Sequence, residues 1–155
     1  MAGPHRLRSV TLDPTTLTAG SPEIEHERQV AIFDLVEENE FRPAGADGGP
    51  YDLLLACEES RLSMQVTGPG YLKAHMLSLT PLRGVLKDYF LICDSYAAAL
   101  RGAGPSQLEA LDMGRRGLHN EGAALLRERL AGKIEMDQET SRRMFTLVGA
   151  LQRRA

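Results

Sequence analysis

The residues best suited to chemistry fall in one stretch, residues 113–130, MGRRGLHNEGAALLRERL. Arg115, Arg116, His119, Asn120 and Glu121 lie within about two helical turns of one another. Guanidinium groups neutralise phosphate or carboxylate and offer paired donors in a rigid fork. Imidazole titrates near neutral pH and can act as acid or base. Arg115, Arg116 and Asn120 are therefore the binding candidates, and His119 and Glu121 the candidates for acid/base or positioning work. Glu121, or Glu27 from an earlier segment, would orient an arginine. The chemistry would be recognition of an anion, either a phosphorylated molecule or nucleic acid.

A helix has to carry these side chains. Leu108, Leu111, Leu118, Leu125, Leu126 and Leu130 recur at helical spacing. Ser106 with Glu109 reads as a capping box after Gly104-Pro105, and Gly132 as the stop. Gly114, Gly117 and Gly122 interrupt the pattern, each costing about 1 kcal/mol relative to alanine. Such a helix bends, or something comes close to its backbone. Projected at 100° per residue, the glycines share an arc with Leu111, Leu118, Glu121 and Leu125. Arg115, Arg116 and His119 point away from that arc, with Asn120 at their flank. The plain reading is close packing on the glycine side and a solvated basic face opposite. The sharper reading is an anion contact on the basic face.

The other elements follow from pattern. Leu7–Leu12 has the alternation of a short strand, after a loose end at residues 1–4. Asp13-Pro14 and Thr18 to Gly20 mark a loop. Ser21-Pro22 opens a helix whose apolar side runs through Ile24, Ala31, Ile32 and Leu35, with Glu27 and Arg28 snorkelling at its border. Residues 40–50 read as a Gly/Pro-rich loop. Residues 51–57 are apolar enough for a central strand. Leu62, Met64 and Val66 alternate with Ser63, Gln65 and Thr67 in the next. Beyond Gly68-Pro69-Gly70, Leu72, Ala74 and Met76 share one face of a third strand, and Lys73 and His75 the other. Short connections make these three antiparallel. Thr80-Pro81 starts a strongly apolar helix that would cover the sheet, running to Gly102. Residues 133–136 form an extended link, and Asp137 caps a last helix striped with Met144, Phe145, Val148 and Leu151. Arg153 and Arg154 end it, where cations favour the dipole. The expected fold is α+β, a small antiparallel sheet of about four strands with four helices in the order β-α-β-β-β-α-α-α.

Composition sets the limits. The 155 residues fit a single domain, 1–155, and 43% hydrophobic with 25% charged content fits an ordinary globular protein. No apolar run reaches the length needed to span a bilayer, and the N-terminus lacks the apolar core of a secretory signal. Cys57 and Cys93 sit in apolar segments as small core residues, which fits a reducing cytoplasm. His5, His26, His75 and His119 fall on four separate segments. A single Glu-x-x-His, Glu23 to His26, falls short of the paired motifs of di-iron bundles, and no metal or cofactor is expected. Residues 1–100 hold 8 Lys/Arg against 14 Asp/Glu, and residues 101–155 hold 10 against 7. The basic half is the half with the glycine-rich helix, a split that can steer an acidic partner. It lacks the basicity and stacking aromatics of a dedicated nucleic-acid binder.

The runs EIEHERQVAIFDLVEEN, LSLTPLRGVLKDYFLICDSY, PSQLEALDMGRRGLHNEGAALL and RRMFTLV closely resemble an uncharacterised protein family of alphaproteobacteria, over nearly the whole chain from Leu7 to Leu151. The resemblance implies a small, single-domain cytoplasmic bacterial protein of the same fold. It brings no activity and no site residue.

Two functional expectations follow. The first is a cytoplasmic regulatory or adaptor protein that binds another protein, with a homodimer through the glycine arc as one form. An apolar or charge-rich patch around residues 106–130 would mark it. The second is an enzyme or ligand-binding protein for a phosphorylated or nucleic-acid substrate, using residues 115–121. A pocket joining the first helix to the glycine-rich one would mark that.

Overall fold

The computed structural model describes residues 3–17 and 19–153. Thr18 of the expected loop, Met1 and Ala2 of the expected loose end, and Arg154 lie outside them. In chain order the elements are β1 (Leu7–Leu12), α1 (Pro22–Glu37), β2 (Phe41–Pro43), β3 (Tyr51–Glu58), β4 (Arg61–Gly68), β5 (Tyr71–Ser78), a 3-10 turn (Thr80–Leu82), α2 (Arg83–Ala99), α3 (Pro105–Leu130), β6 (Ile134–Met136) and α4 (Gln138–Gln152). The fold is α+β, with four helices and a four-stranded sheet ordered β1-β3-β4-β5.

The sheet is mixed. The pairs β3–β4 and β4–β5 are antiparallel, as their tight turns require, but β1 runs parallel to β3. The cause is α1: a helical crossover returns the chain in the same direction, whereas a tight turn reverses it. Two segments read as loop and link, β2 and β6, pair as a small second sheet. There Arg42 faces Glu135, while Phe41, Ile134 and Met136 turn into the core. Gly3, within the expected loose end, is tied down, because Gly49 N donates to its carbonyl at 3.2 Å.

Side chains at alternate positions of β3, β4 and β5 fill one core with the helices. Register decides β5. His75 lies opposite Met64 and Leu77 opposite Leu62, so these two point inward and the Leu72–Ala74–Met76 side points out. The most buried helix is α4 rather than α2. Met144, Phe145, Leu147, Val148 and Leu151 are all buried, whereas Leu91 of α2 and Leu100 at its C-cap are exposed. Asp137 caps α4 through Thr140 N at 2.8 Å, and Ser21 caps α1 through Ile24 N at 3.3 Å. Arg28 does not snorkel. It is 3% exposed, and its Nε donates to the Ala150 carbonyl at 3.2 Å, pinning α1 to the C-terminal half of α4.

Candidate functional site

Three glycines do not break α3, which runs unbroken for 26 residues. Its N-cap is Gly104 with Pro105 in the first turn, and no side chain caps it; Ser106 already lies inside the helix. Gly132, with φ +82°, follows the end of the helix as expected. A Cβ on Gly114 would stand 2.5 Å from Ile92 Cδ1, and one on Gly122 would collide with the Phe145 ring. These two glycines let α2 and α4 close onto α3. Gly117 faces open space.

The true packing arc is therefore rotated from the expected one. It runs through Gly114, Leu118, Gly122, Ala123 and Leu126, because α3 must seat against α2, α4 and the core together. Arg115 and His119 sit at its edge, in the seam with α2 and α4, instead of opposite it. Arg116 stands out with its side chain 69% exposed, and Asn120 and Glu121 are exposed. Of the five candidates, the structure brings together Arg115, His119 and the stem of Arg116. Asn120 and Glu121 stay outside.

Around Arg115 and His119 lies a hollow of 350 Å³, lined also by Tyr89, Arg116, Arg142 and Thr146. Asp112 takes both neighbouring arginines, Arg115 at 2.5 Å and Arg116 at 2.8 Å. The hydrogen bond from Arg115 holds the Asp112 carboxyl below its ordinary range. The Arg115 guanidinium lies 4.9 Å over the Tyr96 ring. Its Nε is buried with no hydrogen-bond partner. His119 is held on both sides. Arg142 Nε donates to Nδ1 at 3.3 Å, so the ring proton is on Nε2, which donates to Thr146 Oγ1 at 2.8 Å. The Thr146 hydroxyl passes its own proton on to the Arg142 carbonyl at 3.1 Å. Burial, and then the nearby Arg142 and Arg115, push the His119 pKa down, so the ring is neutral at pH 7.

This hollow adjoins a larger cleft of 620 Å³, with Tyr89, Arg115 and Thr146 common to both. One wall is α1, with His26, Glu27, Val30 and Asp34; the other is α2, with Tyr89, Phe90, Cys93 and Tyr96. The cleft exists because its floor on α4 is built from small side chains, Thr146, Gly149 and Ala150. At the far end Arg153 pairs with Asp94 at 2.5 Å and lies 5.7 Å over the Phe90 ring. Burial first, and then the neighbouring Cys93, push the Tyr89 hydroxyl up to about 12. Burial likewise raises the Cys93 thiol. The cleft thus joins the first helix to the glycine-rich one through Glu27 and Arg115.

Sequence reasoning missed Tyr89, Cys93, Arg142 and Thr146. The first two looked like members of the apolar stripe of α2. Arg142 and Thr146 are far from residue 119 in sequence, and no spacing connects them. Two other histidines are committed elsewhere: His5 Nδ1 bonds the Tyr51 hydroxyl at 2.8 Å, and buried His75 bonds the Tyr71 hydroxyl at 3.2 Å.

Fold and site together define a small α+β protein with an arginine-bearing cleft between helices. Comparison with known proteins adds the family. Residues 4–154 match the model of the uncharacterised protein family UPF0262, and the chain belongs to that family. It is 58% identical to a UPF0262 protein of Caulobacter vibrioides over 147 residues, 95% of this chain and 92% of the relative. It is 54% identical to a UPF0262 protein of Rhizobium etli over 152 residues, 97% of this chain and 96% of the relative. A UPF0262 protein of Chelativorans is 58% identical over 149 residues, covering 94% and 92% of the two chains. No solved structure matches. Among the described residues, no helix is long and apolar enough to cross a membrane.

Proposed function

We propose that this chain is a ligand-binding protein that holds a small anionic molecule in the cleft between α1 and α2, with the negative group on Arg115. The observation that carries the reading is the position of Arg115. It stands where the cleft meets the hollow containing Arg116 and Arg142, with its side chain 36% exposed. The less polar part of the ligand would lie along Tyr89, Phe90 and Val30. Binding fits the site better than turnover. His119 has both nitrogens engaged, while burial disfavours ionisation of Tyr89 and Cys93. Cytoplasmic residence belongs to the same proposal, supported by Cys57 and Cys93 being free thiols.

The test is calorimetric titration with inorganic phosphate, nucleotides and phosphorylated or carboxylated metabolites. It would be run on the wild type, Arg115→Gln and Ala97→Trp, which plugs the exposed α2 wall. A ligand bound by the wild type and lost in both variants supports the reading. A ligand that binds all three equally, or none that binds the wild type, sinks it. A second reading, docking of a protein partner, has one observation in its favour: on α1, Val30, which lines the cleft, and Phe33 are 44% and 67% exposed. If a partner that co-purifies with the wild type is lost with Phe33→Asp and retained with Arg115→Gln, that reading takes precedence.

A further inference from the structure

The side of the sheet turned away from the helices is open. Leu53 and Leu55 of β3 and Leu62, Met64 and Val66 of β4 point into the core, so their alternates point outward. Across the middle of this outer face run Leu54, Gln65 and Ala74 in one cross-strand row. Leu72 and Met76 flank the row on β5, and Leu72 is 71% exposed. A sheet face meant only for water carries polar and charged residues. Here the middle of the face carries no charge: Leu54, Ala56, Leu72, Ala74 and Met76 share it with the uncharged polar side chains of Ser63, Gln65 and Thr67. The charges stand at its two ends and are matched there. At one end Arg8 holds Asp52 at 2.8 Å, and at the other Glu58 lies opposite Arg61.

The edges, in contrast, are guarded. On β1 the Asn39 side chain accepts from Leu7 N at 2.7 Å and donates to Leu7 O at 3.1 Å. On β5 Lys133 Nζ donates to the Met76 carbonyl at 3.1 Å. Such devices stop a sheet from growing sideways. They leave the face free.

We infer that this outer face is the contact between two copies of the chain, packed face to face about a two-fold axis. A second copy fits because the face is charge-balanced within itself, so two identical faces meet without unpaired like charges at their centre. Guarded edges then limit the assembly to a closed pair. Three strands of eight residues and one of six, about 4.8 Å apart, cover roughly 500 Å² of sheet. Two such faces stand near the lower limit of specific interfaces, so the dimer is reversible and depends on concentration.

Light scattering on the full chain tests this, from about 5 to about 500 µM, a range suited to an interface of this size. The variants are Ala74→Arg and Gln65→Lys at the centre of the face, with Phe33→Asp on α1 as a remote control. All three positions are exposed, and thermal melts check that each variant folds. The expected result is a wild-type mass that climbs from one chain towards two. Phe33→Asp should follow it, while Ala74→Arg and Gln65→Lys stay at one chain with unchanged melting temperatures. A wild type that stays at one chain throughout overturns the inference and leaves the face to some other macromolecule. Folded Ala74→Arg or Gln65→Lys that dimerises like the wild type overturns it too, by placing the contact elsewhere.

Discussion

The two sides of this molecule are built by different rules. The outer sheet face comes from one short-range pattern, the alternation of β3, β4 and β5 fixed by tight turns. The helix side comes from convergence: Arg115 and His119 from α3, Tyr89 from α2, and Arg142 and Thr146 from α4 meet only because Gly114 and Gly122 let three helices close up. A pattern survives the loss of one side chain. A convergence does not, and so the helix side should be the fragile one.

The sharpest test of that difference is Gly122→Ala. The new methyl group meets the Phe145 ring, itself fully buried, so the ring or the whole of α4 must move. We expect a loss of about 3 kcal/mol in urea denaturation, the upper range for overpacking. Ligand affinity should fall with it, while self-association through the sheet face persists in the folded fraction. An unchanged midpoint would mean that α3 and α4 are not in the contact described.

Next in size is a crossed pair of substitutions. Arg115→Gln should weaken binding of the anionic ligand roughly 10- to 100-fold, the range for a charge-assisted hydrogen bond in a partly buried site. It should leave the dimer alone. Ala74→Arg should do the reverse. If either substitution disturbs both properties, the two sides are coupled and the division drawn between them is wrong.

How much of each side could be read beforehand follows from the same difference. The outward set Ser63, Gln65 and Thr67 is visible in the sequence because strand periodicity repeats every two residues. The faces of β5 needed its register, since both of its alternating sets contain apolar residues. On the helix side, adjacency in sequence misled. Asn120 and Glu121 sit beside Arg115 and His119 in the chain but turn into solvent, and Gly117 pulled the projected arc towards a side where nothing packs. The buried Arg28 was hidden for a similar reason: besides nearby Glu25 it bonds the Ala150 carbonyl, far along the chain.

Acid should weaken the helix side more gradually. The folded pKa of His119 is below the ordinary 6.5, chiefly through burial. The unfolded chain therefore takes up its proton first, and stability present above pH 6.5 is lost as pH falls towards the folded value. His75, depressed by burial and by Lys73 and Lys133, adds to the same trend. One such proton contributes at most about 1.4 kcal/mol per pH unit. Thermal melts from pH 7.5 down to 5 should show the decline, and His119→Gln should flatten part of it. A His119→Gln profile that falls as steeply as the wild type would remove His119 from the account.

The smallest effect concerns Gly117, and its sign matters more than its size. An added Cβ there meets nothing within 4 Å, and the residue lies inside an unbroken helix. Alanine restricts the unfolded chain and favours helix, so Gly117→Ala should stabilise the protein by about 0.5–1 kcal/mol. Gly114→Ala, two positions from Arg116 on the packed side, should destabilise it through Ile92. Opposite signs at positions three residues apart would locate the seam on one edge of α3. If Gly117→Ala kept its stability gain yet lost ligand or partner binding, something must approach the bare backbone at that position. The outer side of α3, beside Arg116 and Asn120, would then be a contact surface in its own right, separate from the cleft.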